Sequence, residues 1–470
     1  MKTVDEGIYA DESFRDSLAT IGEDGKRKWI YPKKPKGTFT NYRKIFGYSL
    51  FILFLVMPFL RINDEPVLLL NVIERHFSIL GVVFWPQDFH LFLLAMITFI
   101  LFVVVFTVIY GRIFCGWACP QTIFMELLFR PIEYWIEGDY KQQKALNDAP
   151  LSTTKFIKKS TKHITFFSLS FLISNVFLMY IMGTEAWLEM VTDNPFLHTS
   201  GLLLMLLFTA VFYGVYARFR EQVCTAVCPY GRLQGVLLDK DSIVVAYDYV
   251  RGEPRGKINK WEKEPSTGDC VDCKLCIHVC PTGIDIRNGV QMECINCTAC
   301  IDVCDEVMEK VHRPTGLIRY ASENGIAKNM PFRWTKRVIA YSVVLFVLLS
   351  VITTLLATRP DIETSILRTP GMLYQEKAPG IYTNLYNIKI VNKTKKSFPL
   401  QFKLENKKGT IQAVGQFPTA ESKSITDGAL FIELAQEELK GLKTDVIVGV
   451  YRGDEKIEEI KTSFVGPAQY

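Results

Sequence analysis

The chain has 470 residues, 49% of them hydrophobic and 22% charged, too long for one small domain and long enough for a membrane unit with at least one soluble module. Its net charge of +5 is modest for this length, and without a concentrated basic module nucleic acid is excluded as an expected partner. The twelve cysteines fall in tight local groups with none after Cys304, which argues against a disulfide framework and for metal ligation in a reducing compartment.

Residues 1–40 are polar, with Lys26, Arg27, Lys28, Lys33, Lys34 and Lys36 ahead of the first apolar run, and show no secretory signal peptide. Five stretches are apolar enough, or nearly long enough, to cross a bilayer: 44–60, 89–110, 164–183, 199–217 and 338–358. Segment 67–85, which carries Glu74, Arg75 and His76, rivals the shortest of them and is expected to lie at the interface or re-enter. The 111–163 loop holds eight Lys and Arg and 183–196 holds none, so the positive-inside rule puts the first in the cytoplasm and the second outside. The N-terminus and the 218–337 loop then fall in the cytoplasm, and the tail after 358 falls outside.

Just past the second span, "GRIFCGWACPQT" places Cys115 and Cys119; just past the fourth, "REQVCTAVCPYG" places Cys224 and Cys228. Both read C-x3-C-P. The spacing predicts two thiols on one helical face about one turn apart, with the proline breaking the helix at the cytoplasmic interface. A span followed by such a pair, occurring twice, is an internal repeat that would bring four thiols together near a pseudo-twofold axis. Soft thiolates there favour Cu(I), zinc or another iron–sulfur unit; the plain alternative is cysteines packed as small hydrophobes.

Two runs then follow, "CVDCKLCIHVCP" from Cys270 and "CINCTACIDVC" from Cys294. Each reads C-x2-C-x2-C-x3-C, the spacing of bacterial two-cluster ferredoxins, in which three thiolates wrap one cube and the fourth reaches the other. Cys270, Cys273 and Cys276 are thus expected to share one [4Fe-4S] cluster with Cys304. Cys294, Cys297 and Cys300 share the second with Cys280. Pro281 follows Cys280 in the usual way, whereas Asp305 follows Cys304 and adds negative charge near the first cluster. A structural zinc site is the alternative. Weaker candidates are His278 as a tuner of a cluster, Met179, Met182 and Met190 as a copper hand-over, and Glu74 with His76 as a metal or quinone contact. No glycine-rich nucleotide fingerprint stands out, so a nicotinamide cofactor is not expected.

From Tyr382 the tail alternates in short runs, "YNIKIVN", "PLQFKLEN", "ALFIEL" and "DVIVGVYRG", which suit a small immunoglobulin-like sandwich. The expected fold is a multi-domain membrane protein: a five-helix transmembrane bundle, an inserted cytoplasmic two-cluster ferredoxin domain and a C-terminal immunoglobulin-like β-sandwich. Its parts are an N-terminal segment 1–43, membrane helices within 44–228, the ferredoxin-like module 229–337, the fifth helix 338–358 and a periplasmic domain 359–470.

The stretches "GKRKWIYPKKPKG", "FCGWACPQT", "VCTAVCPYGRLQG", "GDCVDCKLCIHVCPTGIDIRNGVQMECINCTACIDVC" and "RTPGMLYQ" together resemble the cytochrome c oxidase accessory family called CcoG, RdxA or FixG, over nearly the whole chain. The resemblance implies a bacterial inner-membrane protein that matures cbb3-type oxidases by reducing Cu(II) to Cu(I). The eight ferredoxin cysteines would be the relay, and Cys115, Cys119, Cys224 and Cys228 the catalytic, copper-binding centre. It further implies copper ions or a copper chaperone, oxidase subunits or assembly factors, and an unidentified electron donor as partners, and leaves a homo-oligomer open. Two rival readings are a general electron conduit between a quinol or a cytoplasmic donor and a partner reductase, and a non-enzymatic assembly scaffold with clusters as staples.

Overall fold

The computed structural model describes residues 20–22, 26–62, 65–71, 76–84, 88–257, 267–330, 333–394, 396–415, 418–422 and 424–467. The chain divides into two compact units, Met1–Ile352 and Thr353–Tyr470. Five helices are long and apolar enough to cross a membrane: Thr38–Phe59, Phe89–Tyr110, Thr153–Met182, Thr199–Phe219 and Lys336–Ala357. They match the five expected spans, but two start well before their apolar runs.

The first span begins at Thr38, so the expected 43/44 boundary falls inside a helix. Its cap comes from elsewhere. The Asp302 carboxylate accepts the Phe39 N–H at 3.0 Å, the Thr40 N–H at 2.7 Å and the Thr40 hydroxyl at 2.6 Å. A carboxylate here satisfies N–H groups that a helix start leaves unpaired. Asp302 sits on the helix Ala299–Lys310, which also carries Cys300 and Cys304, so the cap fastens the cysteine-bearing module to the first span. Asp302→Ala is expected to cost about 1–2 kcal/mol and lower the thermal midpoint of the solubilised protein; an unchanged midpoint would contradict that role.

The third span starts at Thr153, where Ser152 Oγ accepts the Lys155 N–H at 3.3 Å. Its polar first turns are stabilised by Lys159 and Lys162, which pair with Glu137 at 3.0 and 2.9 Å. Hydropathy marks where the apolar run begins, whereas capping and ion pairs decide where the helix begins.

Segment 67–85 is neither a span nor a re-entrant helix. It folds as an antiparallel meander of Leu68–Asn71, His76–Ile79 and Val82–Phe84, in register Leu68↔Ile79 and Phe77↔Phe84. Leu69 and Asn71 point inward and Leu70 outward, the period of two that a half-buried strand requires. Glu74 and Arg75 lie outside the described residues, as does the side chain of His76.

The ferredoxin-like part combines the helices Leu275–Val279 and Ala299–Lys310 with a ribbon pairing Val244–Tyr247 to Ile318–Ala321. The helix Pro229–Leu237, assigned to this module by the expected boundary at 228/229, packs against the second span, and its Tyr230 also packs against the cluster that holds Val279, Ile295 and Cys297 of the ferredoxin-like part. Residues 27–36 act as a strap across both regions. The Trp29 ring lies between the guanidinium groups of Arg27 and Arg220, at 4.3 and 4.9 Å, Tyr134 donates to Pro32 O at 3.0 Å, and the Lys33 N–H donates to His278 O at 2.7 Å.

The second unit is a two-sheet sandwich. One sheet orders Gly409–Ala413, Ile425–Ala435, Ile381–Asn392 and Ile362–Arg368, with Gln375–Ala378 also on Ile381–Asn392; the other orders Gln401–Leu404, Lys443–Arg452 and Glu455–Val465. Alternate residues Tyr386, Ile388 and Ile390 meet Leu430, Ile432, Leu434, Val446, Val448 and Val450 in one core, as facing sheets demand.

Candidate metal centre

The two cysteine runs adopt the same backbone twice. Asp272 and Lys274 flank Cys273 with φ of 51° and 58°, and Asn296 and Thr298 flank Cys297 with φ of 54° and 63°. Left-handed residues at fixed offsets make the concave turn whose N–H groups favour an anionic cluster. Each turn leads directly into a short helix, at Leu275 and at Ala299, which delivers the third cysteine of each run.

The eight thiols separate into two quartets. Cys270, Cys273, Cys276 and Cys304 line one cavity, together with Tyr247, Arg287 and Met308. Cys280, Cys294, Cys297 and Cys300 line another, walled by Val245, Ile284 and Ile286. These are the expected crossed sets, with the fourth cysteine of each run serving the other site. Cys276 touches both cavities, so the sites are neighbours.

The residues fit [4Fe-4S] cubes. Each cavity offers four thiols and apolar walls, the ligand set such cubes take. Among the described residues no three His, Cys, Asp or Glu groups are close enough to hold a single metal ion. Burial pushes the thiols of Cys276, Cys294 and Cys304 up to about 12, and binding a metal group must therefore displace protons. The outer site has an edge at the surface, where Cys273 is exposed; Cys297 of the inner site is buried.

The C-x3-C-P segments form a structural repeat. Gly111 and Arg220, each four residues before the first cysteine, take nearly the same backbone, φ 59° and ψ −138° against φ 54° and ψ −123°. Cys119 and Cys228 are both extended, and Pro120 and Pro229 both open the next helix. This corrects the expectation of two thiols on one helical face. The residue before a proline is pushed out of the helical region and proline suits the first helical position, so the chain breaks at the second cysteine. Three π-helical turns, Phe124–Phe129, Val215–Phe219 and Val223–Val227, crowd the same region, a distortion frequent at functional sites.

Cys115, Cys119, Cys224 and Cys228 lie in one region, each within electrostatic range of the other three. Burial pushes Cys115 up to about 11 and Cys224 up to about 12. Cys115 Sγ donates to the buried Gln234 Oε1 at 2.9 Å, and Gln234 Nε2 donates to Thr107 at 3.2 Å. Cys115 also packs in one cluster with Ile295, Cys297 and Val303, against which Cys300 lies. The quartet therefore adjoins the inner ferredoxin site. The order in space is outer site, inner site, quartet.

Arg220 is held in its left-handed conformation by a buried bidentate pair with Glu133, 2.7 Å on both arms, and Glu133 also faces Lys162 at 3.6 Å. Burial alone would raise the Glu133 carboxyl, but Arg220, Lys162 and Arg130 together outweigh it and hold the group below the usual carboxylate range. The pair's stabilisation is therefore present above the ordinary carboxylate range and is lost as pH falls through the lowered value. Arg220→Ala leaves the buried Glu133 carboxylate, among the described residues, with only the longer contact to Lys162 and is expected to cost about 3 kcal/mol, read as a lowered thermal midpoint; a midpoint within a degree of wild type would contradict it.

The weaker candidates do not join these sites. His278 is exposed, stacks near Tyr140 at 5.7 Å and lines neither cavity. Met179 and Met190 are buried packing residues. Sequence reasoning missed Arg43, Arg112, Gly116, Gln234 and Asp302, which meet the cysteines only through the tertiary fold.

Known proteins bear on the same regions. A 4Fe-4S dicluster domain matches residues 219–323, a 4Fe-4S binding domain matches 92–140 and 197–240, and the IG-like fold at the C-terminal of FixG matches 352–467. Protein RdxB of Cereibacter sphaeroides is 35% identical over 395 residues, 78% of this chain and 80% of its own length. Protein RdxA of the same organism is 33% identical, covering 77% and 79%. Nitrogen fixation protein FixG of Rhizobium meliloti is 34% identical, covering 65% of this chain and 59% of its own.

Proposed function

Because the chain belongs to the FixG/RdxA/CcoG family and carries its iron–sulfur sites, we propose that this redox protein is a cupric reductase. It takes electrons at the exposed Cys273 edge, and the quartet Cys115, Cys119, Cys224 and Cys228 receives the copper. The observation that carries this reading is Cys115 packed beside Cys297. When bound, the cubes supply one-electron reduction at low potential, and each Cu(II) takes one electron to become Cu(I). Four soft sulfurs favour the Cu(I) product over Cu(II).

In this account the N-terminus and the ferredoxin-like part face the cytoplasm of a bacterial inner membrane, the sandwich faces the periplasm, and the copper reduced is cytoplasmic. Cu(I) then passes, directly or through a copper chaperone, to the assembly of a cbb3-type oxidase. A second reading has its own support: a 4Fe-4S binding domain matches both C-x3-C-P segments. It would then hold a further cube and act as the last step of a conduit. Counting iron and copper in anaerobically purified protein decides between them. About eight iron atoms per chain, with Cu(I) taken up by the quartet, support the reductase; about twelve iron atoms support the conduit.

A further inference from the structure

Two buried arginines stand between the inner ferredoxin site and the quartet. Arg43, on the first span, is 6% exposed; its Nε donates to Gly116 O at 2.7 Å, while Nη2 has no partner. Its charge is the strongest one acting on Cys297. Arg112 is 3% exposed; it donates to Gln234 Oε1 at 3.3 Å and to Met292 O, and its charge acts on Cys115, Cys224 and Cys294. Among the described residues neither forms an ion pair with a carboxylate. A buried cation without a counter-charge is costly, so this junction is built for an anion.

The outer site is built the other way. Arg287 lines it and is the strongest charge acting on Cys276, but unlike Arg43 and Arg112 it is paired with two carboxylates, Asp272 at 2.6 Å and Asp285 at 2.7 Å. Asp285 and Asp305 add negative charge against Cys276 and Cys304, and Lys274 is exposed to solvent. Glu126, the carboxylate acting on Cys297, is already tied to Arg130 at 3.0 Å. Net charge and hydrogen bonds to sulfur set the potential of such a site.

We infer that Arg43 and Arg112 raise the electron affinity of the inner site above that of the outer site, so that the protein's own charges draw an electron from the exposed edge toward the quartet. Arg43 acts as a positioning residue through its buried charge and its unpartnered Nη2, which lie beside the inner site. Nothing is consumed in this step: the outer site is oxidised by one electron and the inner site reduced by the same one. The inference holds whichever acceptor the quartet serves.

Redox potentiometry on the full-length protein, followed by electron paramagnetic resonance, tests it. Asp305→Asn identifies the outer signal as the one that rises. In wild type the other signal is expected to be reduced first. Arg43→Gln is expected to lower the inner site's reduced-to-oxidised ratio at least tenfold at fixed potential, about 59 mV for one electron, with the outer signal unchanged and Arg43→Lys close to wild type. If Arg43→Gln loses iron, Arg112→Gln carries the same expectation. An outer signal reduced first in wild type, or a charge-removing variant with full iron and an unmoved inner signal, overturns the inference.

Discussion

Replacing Cys224 and Cys228 together by serine is expected to abolish Cu(II) reduction and to leave about eight iron atoms per chain, the content of two cubes. Both cysteines lie in the quartet and neither lines a ferredoxin cavity, so the iron sites should survive the change. Hard serine oxygens are poor ligands for Cu(I), and only Cys115 and Cys119 of the four thiols remain. The variant's rate should fall to that of protein-free copper under the same reductant. Full activity in the double variant would show that the quartet is packing rather than chemistry, while loss of both cubes would show that it supports the fold.

Gly116→Ala separates the inner site from the quartet while leaving all twelve cysteines in place. A Cβ on Gly116 would stand 2.4 Å from Ile295 O and 2.9 Å from Asn296 O. Both are backbone atoms of the turn that carries Cys294 and Cys297, so no flexible side-chain end can swing aside. The junction must open, which lengthens the gap an electron crosses from the inner site to the quartet. Copper reduction is therefore expected to slow by several-fold, with reduction of the cubes by dithionite unchanged. A rate within twofold of wild type would mean electrons reach copper by another route.

Much of this architecture was legible in the sequence because its signals are local. The five spans follow from apolar length, and the crossed quartets follow from C-x2-C-x2-C-x3-C spacing, which fixes the turns around Cys273 and Cys297. The sandwich strands are legible from a period of two. Where the signal was non-local the reading failed or stopped short. Asp302 caps a helix that begins 264 positions earlier in the chain, at Thr38, so nothing near Thr38 announces the start. The run 67–85 is apolar enough for a helix, yet strand pairing wins there. The C-x3-C pairs read as helical because spacing alone cannot show that the residue before each proline leaves the helix. Arg43 and Arg112 look like ordinary interfacial cations until the fold buries them against Cys297 and Cys115.

The central claim is that electrons held by the ferredoxin sites end on copper at the quartet. A single-turnover reaction tests it most directly: reduce the purified protein with dithionite, remove the excess without oxygen, add Cu(II), and follow cube oxidation and Cu(I) formation together. The account predicts one Cu(I) per electron lost, and no Cu(I) from the Cys115, Cys119, Cys224 and Cys228 variants with their cubes intact. Cu(II) persisting beside reduced cubes in the wild-type protein would contradict it.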